Sequence, residues 1–494
     1  MNNTTQIDGE VMRTLLEICG RSGRRIGELH ANTIVRRPEG TNTPLSLMQE
    51  HLWARERMFT EARPYNESVT IKATEWLDAE LLKRALSEVS RRHEIWRTSY
   101  KVRDGEPIQV VNPDPVDFSW QVIDLRDLAD TDRAVEFKKI TNAMVRQPFD
   151  LQNGPLLRGM VVRLKDTDQR LFLCAHLSIV DGLSVYQILP REMATLYEAY
   201  ATGCSSPLPP LAIQYGDYAC WQREWMKTEE PRSHEKYWRK QLHGDACNVN
   251  WRDYTGRSLQ PTCDGKTEPF AIGEQLTDEL QKLARTSGVT LFTVLLASFS
   301  TVLASYTQKM ELLIGTPSSG GRKRSEVLKL IGNFLSSVVL RIDMGGNITF
   351  RELVHRAQRV IAEALTHDDV SIDVLSRQWS ETASTGAECV STGISLQPET
   401  PKLNTSWQVS SMDADNGGAA QELYIAFLRT PTGMMARVQY KTDLFDAEMI
   451  AGMIGDLQKV MTLGTEDPEK AVSSIIDAIQ PGTSAKRVAA NWVS

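Results

Sequence analysis

Apolar and polar positions follow two periods along the 494 residues. Over 76–92 the residues Leu77, Leu81, Leu82, Ala85, Leu86 and Val89 recur at helical spacing, which predicts an amphipathic helix with one buried stripe. Strand-like runs follow at 107–111, 156–164 and 170–175, and 185–200 returns to a helical pattern. The stretch GCSSPLPP at 203–210 stops helix and strand alike. A polar, tryptophan-rich region runs on to about 265. Beyond it Leu276, Leu280 and Leu283 mark one helix, and 290–306 is apolar on nearly every side, the pattern of a helix buried all round. Strands are predicted at 312–316, 337–342, 423–429 and 434–440, with a last helix over 447–461. Helices interleaved with strands imply α/β layers around a sheet.

A single core stops growing near roughly 250–300 residues, so this length predicts two lobes. The composition breaks place them at 41–215 and 266–480, joined by a connecting region at 216–265, with an extension at 1–40 and a tail at 481–494. The extension carries Val11, Met12, Leu15, Leu16 and Ile18 at helical spacing, then a basic run at 21–25; it reads as a capping helix or as a docking element for a partner. A net charge of −7 with 41% hydrophobic residues argues against a nucleic-acid binder. The seven cysteines are scattered without a CxxC pair, as reduced thiols are, and Cys174 sits in an apolar run as a small core residue. No apolar run reaches the roughly 18 residues of a membrane span, and the polar start lacks a signal peptide. A cytoplasmic, membrane-free monomer is expected.

Seven patches in order carry a resemblance. PLSLMQEHLW at 44–53, RHEIWRT at 92–98, PFDL with GPLLR at 148–158, CAHLSIVDG at 174–182, YGDYACWQ at 215–222, IGNF through Arg341 at 331–341 and YKTDLF at 440–445 follow one another over most of the chain. Together they resemble the motifs of nonribosomal peptide synthetase condensation domains, whose signature is HHxxxDG. The resemblance implies two chloramphenicol-acetyltransferase-like lobes in a V with a central tunnel. Peptidyl or acyl carrier proteins on the donor and acceptor sides would each thread a phosphopantetheine arm to the centre, and the chain itself would bind no cofactor or metal.

The departures cluster at the implied site. Leu177 stands where the family has its second, catalytic histidine; Ser336 replaces the asparagine of IGxFVNTxxxR; HQxxPFExLV is degraded to HDDVSIDVL at 367–375. His176 is five positions before Asp181, one step out of place for a base, and a one-residue shift turns a side chain to the other face. The resemblance makes it buried and structural, pairs Asp181 with Arg341, keeps Arg97 as a scaffold residue, and puts Gly182 where the backbone turns sharply or a pantetheine arm passes. A heterocyclisation domain would need aspartate at 176. The GTPSSGGR stretch at 315–322 lacks the GK[ST] of a phosphate loop and reads as a structural turn. Arg322, Lys323 and Arg324 read as a solvated basic loop or a carrier contact. Trp53, Trp96, Trp221, Trp225, Trp238 and Trp251 read as core packing rather than a binding surface.

Two functions remain open. One is a condensation domain joining a carrier-bound acyl or aminoacyl thioester to an amine by positioning alone, without the usual histidine. The other is an inactive condensation-like domain that recruits a tailoring enzyme or bridges carrier proteins. A free-standing acyltransferase on soluble thioesters is a third reading that no residue favours. No carrier-protein or adenylation pattern occurs within the 494 residues, so such partners are expected elsewhere, or on a larger synthetase that contained this piece.

Overall fold

The computed structural model describes residues 33–479 apart from 59–63, 115–117, 243–261 (save 249, 251 and 255), 380–389, 404–405 and 411–413. The apolar cluster at 11–18, the basic run at 21–25 and the tail at 481–494 lie outside the described residues.

Fourteen strands are described: β1 Thr43–Pro44, β2 Asn66–Ala73, β3 Thr98–Arg103, β4 Glu106–Val111, β5 Ser119–Asp124, β6 Leu157–Lys165, β7 Asp168–His176, β8 Gly265–Gly273, β9 Glu311–Ser318, β10 Ser336–Asp343, β11 Thr392–Leu396, β12 Gln408–Ser410, β13 Leu423–Thr430 and β14 Gly433–Lys441. They form a five-stranded sheet in the order β12-β2-β7-β6-β5, a six-stranded sheet in the order β10-β9-β11-β13-β14-β8, and a small β1-β4-β3 sheet. Each large sheet carries helices and its own hydrophobic core. The class is therefore mixed α/β, as the periodicity implied.

Local chemistry explains the elements. The first amphipathic helix runs Ala79–Arg92, two turns of the expected stripe facing inward, and starts where the Asp78 carboxylate accepts from the Glu80 and Leu81 N–H groups at 2.9 and 3.1 Å. The all-apolar pattern becomes the buried helix Leu291–Thr307. Its hydroxyls survive burial by bonding back one turn: Ser298 donates to the Val294 carbonyl at 2.9 Å, Ser300 to Leu296 at 2.7 Å and Thr301 to Ala297 at 2.9 Å. Among the described residues no single helix is long and apolar enough to cross a membrane. Trp96, Trp225, Trp238 and Trp251 are buried, and Trp53 and Trp221 half-buried.

Two stretches of the second half leave its own sheet. Val327, Leu330, Ile331 and Phe334 pack into the core of the five-stranded sheet, as does Trp407. β12 adds an edge strand to that sheet, Val409 opposite Ile71, while β11, a few residues earlier, runs parallel to β13 in the other. The histidine of RHEIWRT holds the first of these stretches. His93 Nδ1 accepts from the Ile331 N–H at 3.2 Å, which leaves Nε2 to donate to Glu192 at 3.0 Å, while Arg92 Nε reaches the other Glu192 oxygen at 2.9 Å.

Burial alone would raise the Glu192 carboxyl, but His93 and Arg92 more than offset it and hold it below its ordinary value. A depressed folded-state pKa gives stability that is complete above the unfolded pKa and lost as pH falls through the folded one. We therefore expect Glu192→Gln to cost about 3 kcal/mol at neutral pH. The gap to wild type should stay flat down to the ordinary value of 4.5 and narrow in more acid solution, measured by denaturant unfolding across pH.

Candidate active site

β7 delivers the signature stretch. His176 ends the strand, 1% exposed, and caps the following turn: its Nδ1 meets the Ser178 hydroxyl at 2.8 Å, and Nε2 lies 3.3 Å from Glu56. Tyr65 and Phe149 stand edge-on to its ring. It is held on all sides and does not line the cavity described below. Cys174, two residues earlier, is buried, and burial pushes its thiol up to about 12, so it stays a protonated core residue.

Leu177 turns the other way. Its N–H continues the ladder onto the Tyr65 carbonyl at 2.8 Å, its carbonyl accepts from Asn333 Nδ2 at 2.8 Å, and its side chain packs with Met48, Leu52 and Tyr65. Those residues form one wall of a cavity of ≈ 250 Å³ between the two large sheets. The opposite wall comes from β9 and β10 (Thr316, Ser337), the segment after β11 (Gln397) and β14 (Arg437).

Asp181 is almost completely sequestered. Its carboxylate accepts from Arg322 Nε at 2.8 Å and Nη2 at 2.9 Å, from the Ser184 N–H and hydroxyl, both at 2.8 Å, and from the Phe334 N–H at 3.2 Å. Arg322 in turn donates to the carbonyls of Val327 at 3.1 Å and Leu330 at 3.0 Å, and lies over the Phe334 ring. Two expectations are corrected by this geometry. Arg341, the partner implied by the resemblance, points to Glu311 instead, 2.6 Å away and part-exposed, because β10 carries it to the far end of the strand pair with β9. Arg322, grouped with a solvated basic loop, is 1% exposed and is the partner of Asp181.

Its neighbours are engaged as well. Lys323 pairs with Asp368 and, at 2.9 Å, with Asp369, and Arg324 lies over Trp221. Asp368 also accepts from Ser318, and a Cβ on Gly320 would stand 2.1 Å from the Asp368 carbonyl oxygen. The stretch at 367–369, degraded as a motif, is thus a clamp on the turn that carries Arg322.

The other predicted positions lie around this centre. A Cβ on Gly182 would meet Gln397 Oε1 at 2.9 Å and Pro398 Cδ at 3.4 Å, so glycine is required by this chain's own crossing segment. Ser336 is buried at the start of β10 with its hydroxyl unpartnered; Asn333, three residues earlier, supplies the amide that faces the cavity. Arg97 donates to the Ser90 carbonyl at 3.0 Å and to that of Asn112, away from the cavity.

Among the polar cavity residues that escaped the sequence reading are His51, Glu67 and Arg437. His51 shares a face with Met48 and Leu52 on the helix Leu47–Met58, a spacing that could have announced it. Glu67 and Arg437 sit on strands whose alternation hides which face lines a cleft.

The family model described as Condensation domain matches residues 39–480. The chain belongs to the condensation-domain family. It is 34% identical over 438 residues to one of the linear gramicidin synthase proteins of Brevibacillus parabrevis, covering 87% of this chain but 8% of that protein. It spans less than a tenth of the first gramicidin synthase proteins it matches, at 8%, 6% and 9% of their lengths. Among solved structures it is similar to the first condensation domain of the CDA synthetase, with a TM-score of 0.78, 16% identity and coverage of 88% of this chain and 98% of that one. It is likewise similar to the X-domain in complex with OxyB from teicoplanin biosynthesis, with a TM-score of 0.72, 22% identity and coverage of 90% and 98%. The fold they share is the chloramphenicol-acetyltransferase-like one that the resemblance implied.

The two arginines give a direct contrast. Arg322→Met strands a buried carboxylate and should cost about 3–5 kcal/mol, whereas Arg341→Met removes a part-exposed pair and should cost at most about 1 kcal/mol. Urea midpoints of the two variants at unchanged slope check this.

Proposed function

We propose that this domain joins a carrier-bound acyl or aminoacyl thioester to an amine, making an amide by positioning the two reactants rather than by base catalysis from the signature loop. The observation that carries this reading is the intact lock of Asp181 and Arg322 beneath an open cavity whose corner is the aliphatic Leu177. The loop keeps its shape around a missing imidazole. Peptidyl or acyl carrier proteins would present the phosphopantetheine arms, and the domain itself holds no cofactor.

Magnitudes favour survival of amide chemistry. General base catalysis supplies about 10²–10⁴-fold, while orienting two reactants supplies roughly 7–11 kcal/mol. An α-amine with pKa near 8 is already about a tenth neutral at pH 7; an alcohol gains far more from a base. An amine acceptor is therefore the reading the site supports.

A second reading has an observation of its own. The X-domain neighbour was solved bound to OxyB, so a condensation-type fold serves there as one partner in a complex with another protein. On this reading the altered signature loop marks a domain that recruits a tailoring enzyme without turnover.

Loaded donor and acceptor carriers, followed by intact-protein mass spectrometry, separate the two. Turnover with amine acceptors faster than with hydroxyl acceptors is expected, and Leu177→His should raise the rate. His51→Ala should leave it within about tenfold, below the range of a lost general base. Ester formation as fast as amide formation overturns the amine preference. No product from wild type or Leu177→His, together with a stable complex with a purified tailoring enzyme, supports recruitment instead.

A further inference from the structure

Strand register brings an ion pair to the corner where Leu177 stands. β2 and β7 are antiparallel, with Asn66 opposite His176 and Glu67 opposite Ala175. The Leu177 N–H extends that ladder to Tyr65. Leu177 therefore faces Tyr65 and lies diagonal to Glu67 on the same face, a relation that separates two residues by about 7–8 Å. From the other sheet Arg437 of β14 reaches Glu67, Nη2 to Oε2 at 3.5 Å. The pair crosses from one sheet to the other inside the cavity that both residues line.

One donor of the guanidinium is left without an acceptor. Its side chain is 13% exposed, its Nε–H is buried with no hydrogen-bond partner, and its contact with Glu67 is at the long limit. An arginine presents five N–H donors and keeps its charge, so a buried donor left open calls for a bound oxygen. The phenols of Tyr186 and Tyr424 lie within electrostatic range of it and line the same space. A charged donor with an open N–H, lining the same cavity as Leu177, has the form of a site for a developing oxyanion.

We propose that Arg437 receives the carbonyl oxygen of the donor acyl thioester and stabilises the negative charge that gathers there as the amine attacks. Glu67 is the positioning residue that holds the guanidinium. This rests on the acyl-transfer reading above. In the step, the nitrogen lone pair forms the C–N bond and the carbonyl π pair moves onto the oxygen at Arg437. Its return breaks the C–S bond, and the departing pantetheine thiolate takes up the proton the nitrogen releases. Nothing is oxidised or reduced. Help given to the electrophile suits a corner that offers little to the nucleophile.

The test uses the full chain with an acyl-N-acetylcysteamine thioester labelled with ¹³C at the carbonyl, alongside turnover of carrier-bound substrates. The labelled resonance should move downfield on binding wild type and stay at its free value with Arg437→Met and Arg437→Gln, both checked for folding by circular dichroism. In turnover those variants should lose about 10²–10³-fold in kcat with little change in KM, and Glu67→Gln should lose less. A downfield shift that survives Arg437→Met, kcat within about threefold of wild type, or a wild type that gives no shift overturns the proposal. A shift that depends on Arg437 without any turnover keeps the carbonyl site and fells the acyl-transfer reading instead; turnover indifferent to Arg437 does the reverse.

Discussion

The buried pairing of Asp181 with Arg322 is the constraint on which the rest of the site depends. A carboxylate and a guanidinium taken out of water persist only when their other polar groups find partners, and here each nitrogen of Arg322 and each oxygen of Asp181 has at least one. Asp181 collects donors from Arg322, Ser184 and Phe334, and Arg322 spends its other donors on the carbonyls of Val327 and Leu330. These partners come from both halves of the chain. The lock therefore fixes the signature loop against the second-half segment at 327–334, and with it the direction in which Leu177 faces.

Around that lock the architecture is one of exchange. The segment at 327–334 fills the first core, and its tip at Phe334 packs against Tyr215 and Tyr218 with ring centroids 4.9 and 4.8 Å away. His93, itself held by Glu192, accepts from Ile331 of the same segment. The cavity lies where two sheets face each other across these exchanged pieces, so its polar groups are donated one from each side, Glu67 from β2 and Arg437 from β14.

How much of this was legible in the sequence depended on whether a residue's neighbours were local. The helices at Ala79–Arg92 and Leu291–Thr307 follow from their stripes, and β6 and β7 from their apolar runs. β8, GKTEPFAIG, was not legible: it is an edge strand with a mostly polar face and only Thr267 and Ile272 buried. The mistaken partner for Asp181 has the same origin. The resemblance pointed to Arg341, while the tight turn at Gly320–Arg322, clamped by Asp368, is what turns Arg322 inward. Arg322 looked like surface because two further basic residues follow it, and each of those found its own carboxylate or aromatic ring.

The stretch from Thr392 to Ser410 belongs to both sheets, β11 in one and β12 in the other, and Gln397 and Pro398 rest on the bare backbone of Gly182 between them. It works as a strap across one edge of the cleft. At that edge the cavity is bounded by the strap packed on bare main chain, so a larger residue at 182 would push the strap outward before it touched anything else.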